Sequence, residues 1–267
     1  MPREFAAPSR TPKGGIPYQY FPVDPGFKED HWIQRAEAKP GAPAVVHHIV
    51  VFIVPKGEFF NPDAPGATLC GTAPGDMPLE LAPGLAKKVP AGARLIFQMH
   101  YTPNGKPYHD QSSVALIFAK EPPRHRVLTK PIYNPSFITH LDKIPAGAAN
   151  YQIESEHIFK ENSYLLSFMP HMHLRGKDFL YEAIYPDGKK KILLSVPHYN
   201  FGWQSVYRLA EPLAMPKGAK LHCIAHFDNS ANNPNNPDPA QSVTWGDQTW
   251  EEMMIGWIDY YQEGKKP

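Results

Sequence analysis

Apolar residues in this chain gather in short runs and not at helical spacing: VVHHIVVFIV (45–54), ARLIFQMHY (93–101), SVALIFA (113–119), SYLLSFM (163–169), KKILLSV (190–196) and AKLHCIAHF (219–227). Between them the chain is broken by paired glycine and proline and by Asn-Pro, residues that set turn geometry. The pattern predicts short strands joined by turns, and hence an all-β fold. Strands of this kind bury their apolar faces by packing sheet on sheet, so β-sandwiches are expected.

Two stretches repeat. VPAGARLIFQMHYTPN, from Val89, and MPKGAKLHCIAHFDNS, from Met215, both run x-Pro-x-Gly-Ala-basic-Leu and reach a histidine ten residues after the proline, His100 and His226. The offset is 126 residues, and the histidines upstream follow it: His48 precedes His100 by 52 positions and His173 precedes His226 by 53. Two related β-domains are the natural inference. A third such turn, Ile144–Ala148, is expected to open the second domain. The expected domains are therefore 1–140 and 141–267.

At 267 residues, 42% apolar and 12% aromatic, the chain can fill real cores. Lys plus Arg number 27 against 26 for Asp plus Glu, a net charge of +1, so neither nucleic acid nor an anionic membrane surface is expected as a partner. No apolar stretch approaches the roughly 20 residues of a membrane span, and the first thirty residues lack the apolar centre of a signal peptide. The Pro- and Gly-rich start reads as a linker, as though further domains stood upstream. The thirty-one prolines are about twice the usual share of roughly 5%, which strengthens the turn-rich reading. Cys70 and Cys223 are expected to be separate buried thiols.

The candidate chemistry lies in the histidines. In SFMPHMHLRGKD (167–178), an extended strand would project His171 and His173 to one side, about 7 Å apart, as a two-point claw for one metal ion. The alternative is one ring packed in the core and the other at the surface. His47 and His48 are adjacent, so both reach one metal only at a strand end or bulge. With His100 they would form an all-nitrogen set suited to copper or zinc. A third ligand for the claw would come from TWGDQTWEEMMIGWIDYY (244–261): Asp247, Glu251 or Glu252 for a hard site, Met253 or Met254 for a soft one.

HHIVVF, QMHY, HMHLRGK and TWGDQTWEEMMIGWIDYY, in this order and at these intervals, resemble the type II copper monooxygenases, the family of dopamine β-monooxygenase and peptidylglycine α-hydroxylating monooxygenase. HYNFGWQSVYRL (198–209) brings the likeness nearer the first branch, and it extends over nearly the whole chain from YQYFPVDPG onward. The resemblance implies two tandem jelly-roll-like antiparallel β-sandwiches, each holding one copper, on either side of a solvent-filled cleft. It implies that His47, His48 and His100 ligate an electron-supplying copper and that His171, His173 and Met253 ligate an oxygen-handling one. A thioether favours Cu(I), the state that meets O2, which agrees with this division. By the same resemblance the chain is a secreted or periplasmic oxidoreductase, a monooxygenase hydroxylating an aliphatic or benzylic C–H bond of a small substrate with O2 and an external reductant, ascorbate. Asp247, Glu251 and Glu252 are then supporting or turn residues. The rival readings are a copper-binding electron-transfer module without hydroxylase activity and, more distantly, a carbohydrate- or protein-binding sandwich.

The chain departs from the family pattern in three places. Animal members carry many disulfides and a cysteine after the methionine ligand, where this chain has Met254, which suggests a bacterial-type relative. His226 has no family counterpart and is expected to be a hydrogen-bonded strand histidine. The arginine with which peptidylglycine enzymes grip a carboxylate is replaced by Met169, and Arg175, on an extended strand, would lie roughly 13 Å from His171. A neutral or aromatic substrate is therefore expected, with Phe168, Met169, Trp250 and Trp257 as candidates to line its site.

Overall fold

The computed structural model describes residues 1–75 and 77–264. Its regular structure is nearly all strand; among the described residues the one helix is a single turn at Pro135–Ile138, where Asn134 accepts from the Phe137 N–H at 2.9 Å. The chain divides into two compact units, Met1–Lys130 and Pro131–Glu263. Among the described residues, no helix is long and apolar enough to cross a membrane.

In the first unit the principal strands are β1 (Gln19–Val23), β2 (His31–Lys39), β3 (Val46–Val54), β4 (Thr68–Thr72), β5 (Leu85–Val89), β6 (Arg94–Tyr101) and β7 (Ser113–Phe118). One antiparallel sheet has the order β1-β6-β3-β4, and the other is built on β7-β2-β5. Alternation decides what lies between them. Ile49, Val51 and Ile53 of β3 face Ile33, Ala36 and Ala38 of β2 in one core. The opposite face of β3 carries His48, Val50, Phe52 and Val54, and Phe52 and Val54 are covered by Ala67 and Phe60.

The second unit holds β8 (Tyr151–Ile158), β9 (Ser163–Met172), β10 (Gly176–Ile184), β11 (Lys190–Val196), β12 (Tyr207–Met215), β13 (Lys220–Phe227) and β14 (Met254–Gln262). Its sheets run β8-β13-β10-β11 and, within the unit, β14-β9-β12. Adding seven to each strand number of the first unit gives the second, so the repeat expected from the sequence is a repeat of topology. In both copies the Pro-x-Gly turn leads from one sheet into the other: β5 to β6 through Pro90–Gly92, and β12 to β13 through Pro216–Gly218. The two layers of the second unit approach closely. A Cβ on Gly256 would lie 2.6 Å from the Cys223 Sγ, so only glycine fits on β14 there. Cys70 and Cys223 are both buried and are not joined in a disulfide.

Candidate metal centres

The first candidate centre stands where β3 meets β6. His48 pairs with His100 across the two strands, and Val46 pairs with Tyr101, so one residue is extra on β3. That residue is His47. The bulge removes the strict alternation that would send adjacent side chains to opposite faces, and both imidazoles turn toward His100. The ring centroids lie 5.7 Å (His47–His48), 5.1 Å (His47–His100) and 4.9 Å (His48–His100) apart. One ring nitrogen of each lies within 4.8 Å of the others, the one grouping of this kind among the described His, Cys, Asp and Glu side chains. Nitrogens about 2 Å from a shared ion sit roughly 3–3.5 Å apart, a difference that ring rotation supplies. Tyr18, just before β1, packs edge-on against His48 and tilted against His100, at 5.2 and 5.1 Å. The residues fit a borderline or soft divalent or monovalent ion such as copper.

The second candidate centre lies at the end of β9. Met172 points into the sandwich and is fully buried; His171 and His173 point the other way, with ring centroids 5.3 Å apart and planes at 90°. Hydrogen bonding fixes both tautomers. The Gln204 amide donates its Nε2 to the Phe201 carbonyl at 2.9 Å, which leaves its Oε1 facing the His171 Nδ1 at 2.6 Å. Against the His173 Nδ1 stands the Glu251 backbone carbonyl at 3.2 Å, which can only accept. Both rings are therefore Nδ1–H, with the lone pair on Nε2. Burial lowers the His171 pKa, against the opposite pull of Gln204, and so keeps the ring neutral.

Register separates the two methionines. Met254 pairs with Met172, and its Sδ accepts from the Ser155 Oγ of the facing sheet at 3.4 Å, so it belongs to the core. Alternation sends Met253, one residue earlier, to the side of His171. That side then carries two imidazole lone pairs and a thioether, a donor set that fits Cu(I).

Several neighbours hold these groups. The Tyr199 hydroxyl donates to the Met172 carbonyl at 2.7 Å and accepts from the Met172 N–H at 3.0 Å, gripping the residue between the two histidines. Phe201 packs edge-on to His173 at 5.7 Å. Glu252, fully buried, accepts from the backbone N–H groups of His173 (2.9 Å) and Arg175 (2.6 Å). Burial pushes its carboxyl up to about 8, against the pull of these amides and of the Arg175 guanidinium. Burial likewise raises the Asp247 carboxyl, helped by the charge of Glu251.

Two expectations are corrected. The chain does not run extended through Arg175: it turns after His173, with the Gly176 N–H donating to the His173 carbonyl at 3.2 Å. Arg175 folds inward, only 2% exposed, and bonds the Asn229 Oδ1 and the Trp250 carbonyl, each at 2.8 Å. It has no hand for a substrate carboxylate. Phe168 faces the core, against Tyr181 at 4.9 Å, and cannot line the centre. Met169 and Trp257 pair on the histidine side, and Trp250 is 40% exposed. His226 is held by Asp178 at Nδ1 (2.7 Å) and by Gln152 at Nε2 (2.9 Å), away from β9. Sequence reasoning missed Gln204, Tyr199 and the inward Arg175. The only signal was HYNFGWQ, which contains the first two.

Comparison with known proteins bears on the second unit. Residues 138–266 match the family described as copper type II ascorbate-dependent monooxygenase, C-terminal domain. No curated protein matches the chain. Among solved structures it aligns with the infectious bursal disease virus VP2 subviral particle at 9% identity, over 99% of this chain and 72% of that one, with a TM-score of 0.26. With the Gt strain of that virus the figures are 11%, 98%, 71% and 0.20. Likeness at this level carries no argument. His171, His173, Met253 and the residues that hold them all fall inside the matched span, and it is this second unit that matches the C-terminal domain of the copper type II ascorbate-dependent monooxygenase family.

Proposed function

We propose that this protein is a copper-dependent monooxygenase that hydroxylates an aliphatic or benzylic C–H bond of a small substrate, with O2 and an external reductant such as ascorbate. Two copper ions per chain serve it, one held by His47, His48 and His100 and the other by His171, His173 and Met253. The observation that carries this reading is the shared tautomer of His171 and His173, each presenting Nε2 on the face to which Met253 is sent. Copper, when bound, supplies one-electron redox chemistry and the activation of O2.

The chain's own residues do the rest. Gln204 and the Glu251 carbonyl keep a proton on each Nδ1 and so orient the rings. The Met253 thioether biases its centre toward Cu(I), whereas three imidazoles suit both oxidation states. With Arg175 committed internally and Met169 where the peptidylglycine branch has arginine, the second centre favours a neutral or aromatic substrate over a carboxylate. The proposal extends to an exported, periplasmic or extracellular protein, with further redox domains upstream.

Copper counted per chain by mass spectrometry, followed by oxygen uptake with ascorbate and uncharged aryl-alkyl compounds, tests this reading. Two coppers and substrate-dependent uptake with a hydroxylated product are expected. Two coppers without hydroxylation would make the chain an electron-transfer module, and a single zinc would overturn both readings.

A further inference from the structure

Glu252 is fully buried and Arg175 nearly so, and neither belongs to the candidate ligand set. Burying such groups is costly unless hydrogen bonds compensate, and here partners from three segments of the chain hold them. One carboxylate oxygen takes the His173 N–H and the other the Arg175 N–H, so Glu252 bridges the two amides that flank Leu174. The Arg175 Nη1 stands 3.9 Å from Glu252 and donates to the Trp250 carbonyl at 2.8 Å. Its Nε donates to the Asn229 Oδ1, and Asn229 is anchored through its Nδ2 to the carbonyls of Pro145 and Gln241.

These contacts close a ring. It runs from Glu252 to the backbone of residues 173–175, along the Arg175 side chain to Trp250, and back through residues 250–252. The ring ties the turn after the His-x-His to the segment that supplies the Glu251 carbonyl and Met253.

Resting on the function proposed above, we infer that the Glu252–Arg175 pair is the positioning device of the second centre: it locks His173 against the Glu251 carbonyl and in register with Met253 before metal arrives. His171, held by Gln204 on the other side, does not depend on it. A buried pair that served folding alone would not distinguish between the two rings.

The test uses the full chain with Glu252→Gln, which keeps size and one acceptor but sets an NH2 group against a backbone N–H, and with Arg175→Lys, which keeps the charge and loses the fork. In the metal-free proteins, imidazole 15N shifts report the tautomer. Nδ1–H is expected for both rings in the parent; each variant should lose it at His173 and retain it at His171. Cu(I) affinity, measured by chelator competition, should fall about 10- to 100-fold at the second centre and stay within about twofold at the first. Copper–sulfur scattering in X-ray absorption should weaken. If a folded variant keeps the His173 tautomer and second-centre affinity within about twofold of the parent, the inference is overturned and the pair serves folding alone. Should Glu252→Gln not fold, Arg175→Lys decides by the same measurements. A parent that binds no second copper overturns the proposed function separately, whatever the 15N shifts show.

Discussion

Replacing Gln204 by leucine removes one atom's worth of function and little volume. Gln204 is 1% exposed, and its Oε1 lies 2.6 Å from the Nδ1 of a buried imidazole. Leucine fills the space but accepts nothing, so the His171 N–H is left buried and unsatisfied, a penalty of about 1–3 kcal/mol. The ring also loses what fixes its tautomer and orientation. Partners of this kind to a metal-ligating histidine are worth about 10- to 100-fold in metal affinity, or about 1.4–2.7 kcal/mol. The two ranges agree, and a second-centre Cu(I) affinity lowered by one to two decades is expected. The Phe201 carbonyl loses its donor too, but Phe201 is partly exposed and water replaces the amide. Competition with a Cu(I) chelator reads both centres, and the first is the internal control. Gln204→Glu, which keeps an acceptor in place, should retain most of the affinity near pH 8. An unchanged second centre in the leucine variant, or an equal loss at both centres, would refute the tautomer argument.

Met253→Ile should weaken Cu(I) at the second centre and abolish oxygen uptake, whereas Met254→Ile, a core substitution of similar volume, should cost under about 1.5 kcal/mol in a denaturant melt and leave copper bound; the reverse order would mean that the ligand register is shifted by one residue. Alanine at His47, His48 or His100 should remove one copper and leave the other, because the two candidate centres share no residue; loss of both by mass spectrometry would contradict this. In the first unit, the Tyr101 hydroxyl donates to the buried Asp110 carboxylate at 2.7 Å, and burial, then Asp110, raises its pKa well above 10. A raised folded pKa gives stability that is complete below the unfolded value near 10 and lost as pH rises beyond it. Unfolding midpoints followed from pH 8 to 11 should therefore fall less steeply for Tyr101→Phe than for the parent, and an identical slope would refute the assignment.

The strands were legible because each apolar run is bounded by turn residues and is too short for any other reading. The runs at 45–54, 93–101 and 163–169 reappear as β3, β6 and the first part of β9. At His47 a steric condition was legible, that two adjacent rings share a face only at a strand end, a bulge or a backbone distortion; the register shows that it is a bulge. What holds the second centre was not legible, because its partners are remote in sequence. Gln204 lies 33 residues from His171, and Glu252 lies 79 from His173 and 77 from Arg175. Arg175 was misplaced for a related reason. Extrapolating a strand through it ignored the turn that Gly176 closes, and the carboxylate that draws it inward sits on a segment no local pattern could pair with it.

The two units share a frame but not the location of their chemistry. Asp178 pairs with His226 on β10 and β13 as His48 pairs with His100 on β3 and β6. The place that holds the first candidate centre is thus filled, in the second unit, by an imidazole clamped between a carboxylate and an amide. The second candidate centre uses the end of β9, in the other sheet. Nothing in the repeat obliges the two centres to be alike. A symmetric pair of sites on a repeated frame would be tied to similar ligands. Displacing the candidate ligands to different sheets frees each set to change alone, so that, on the function proposed above, one set can be all nitrogen while the other carries sulfur.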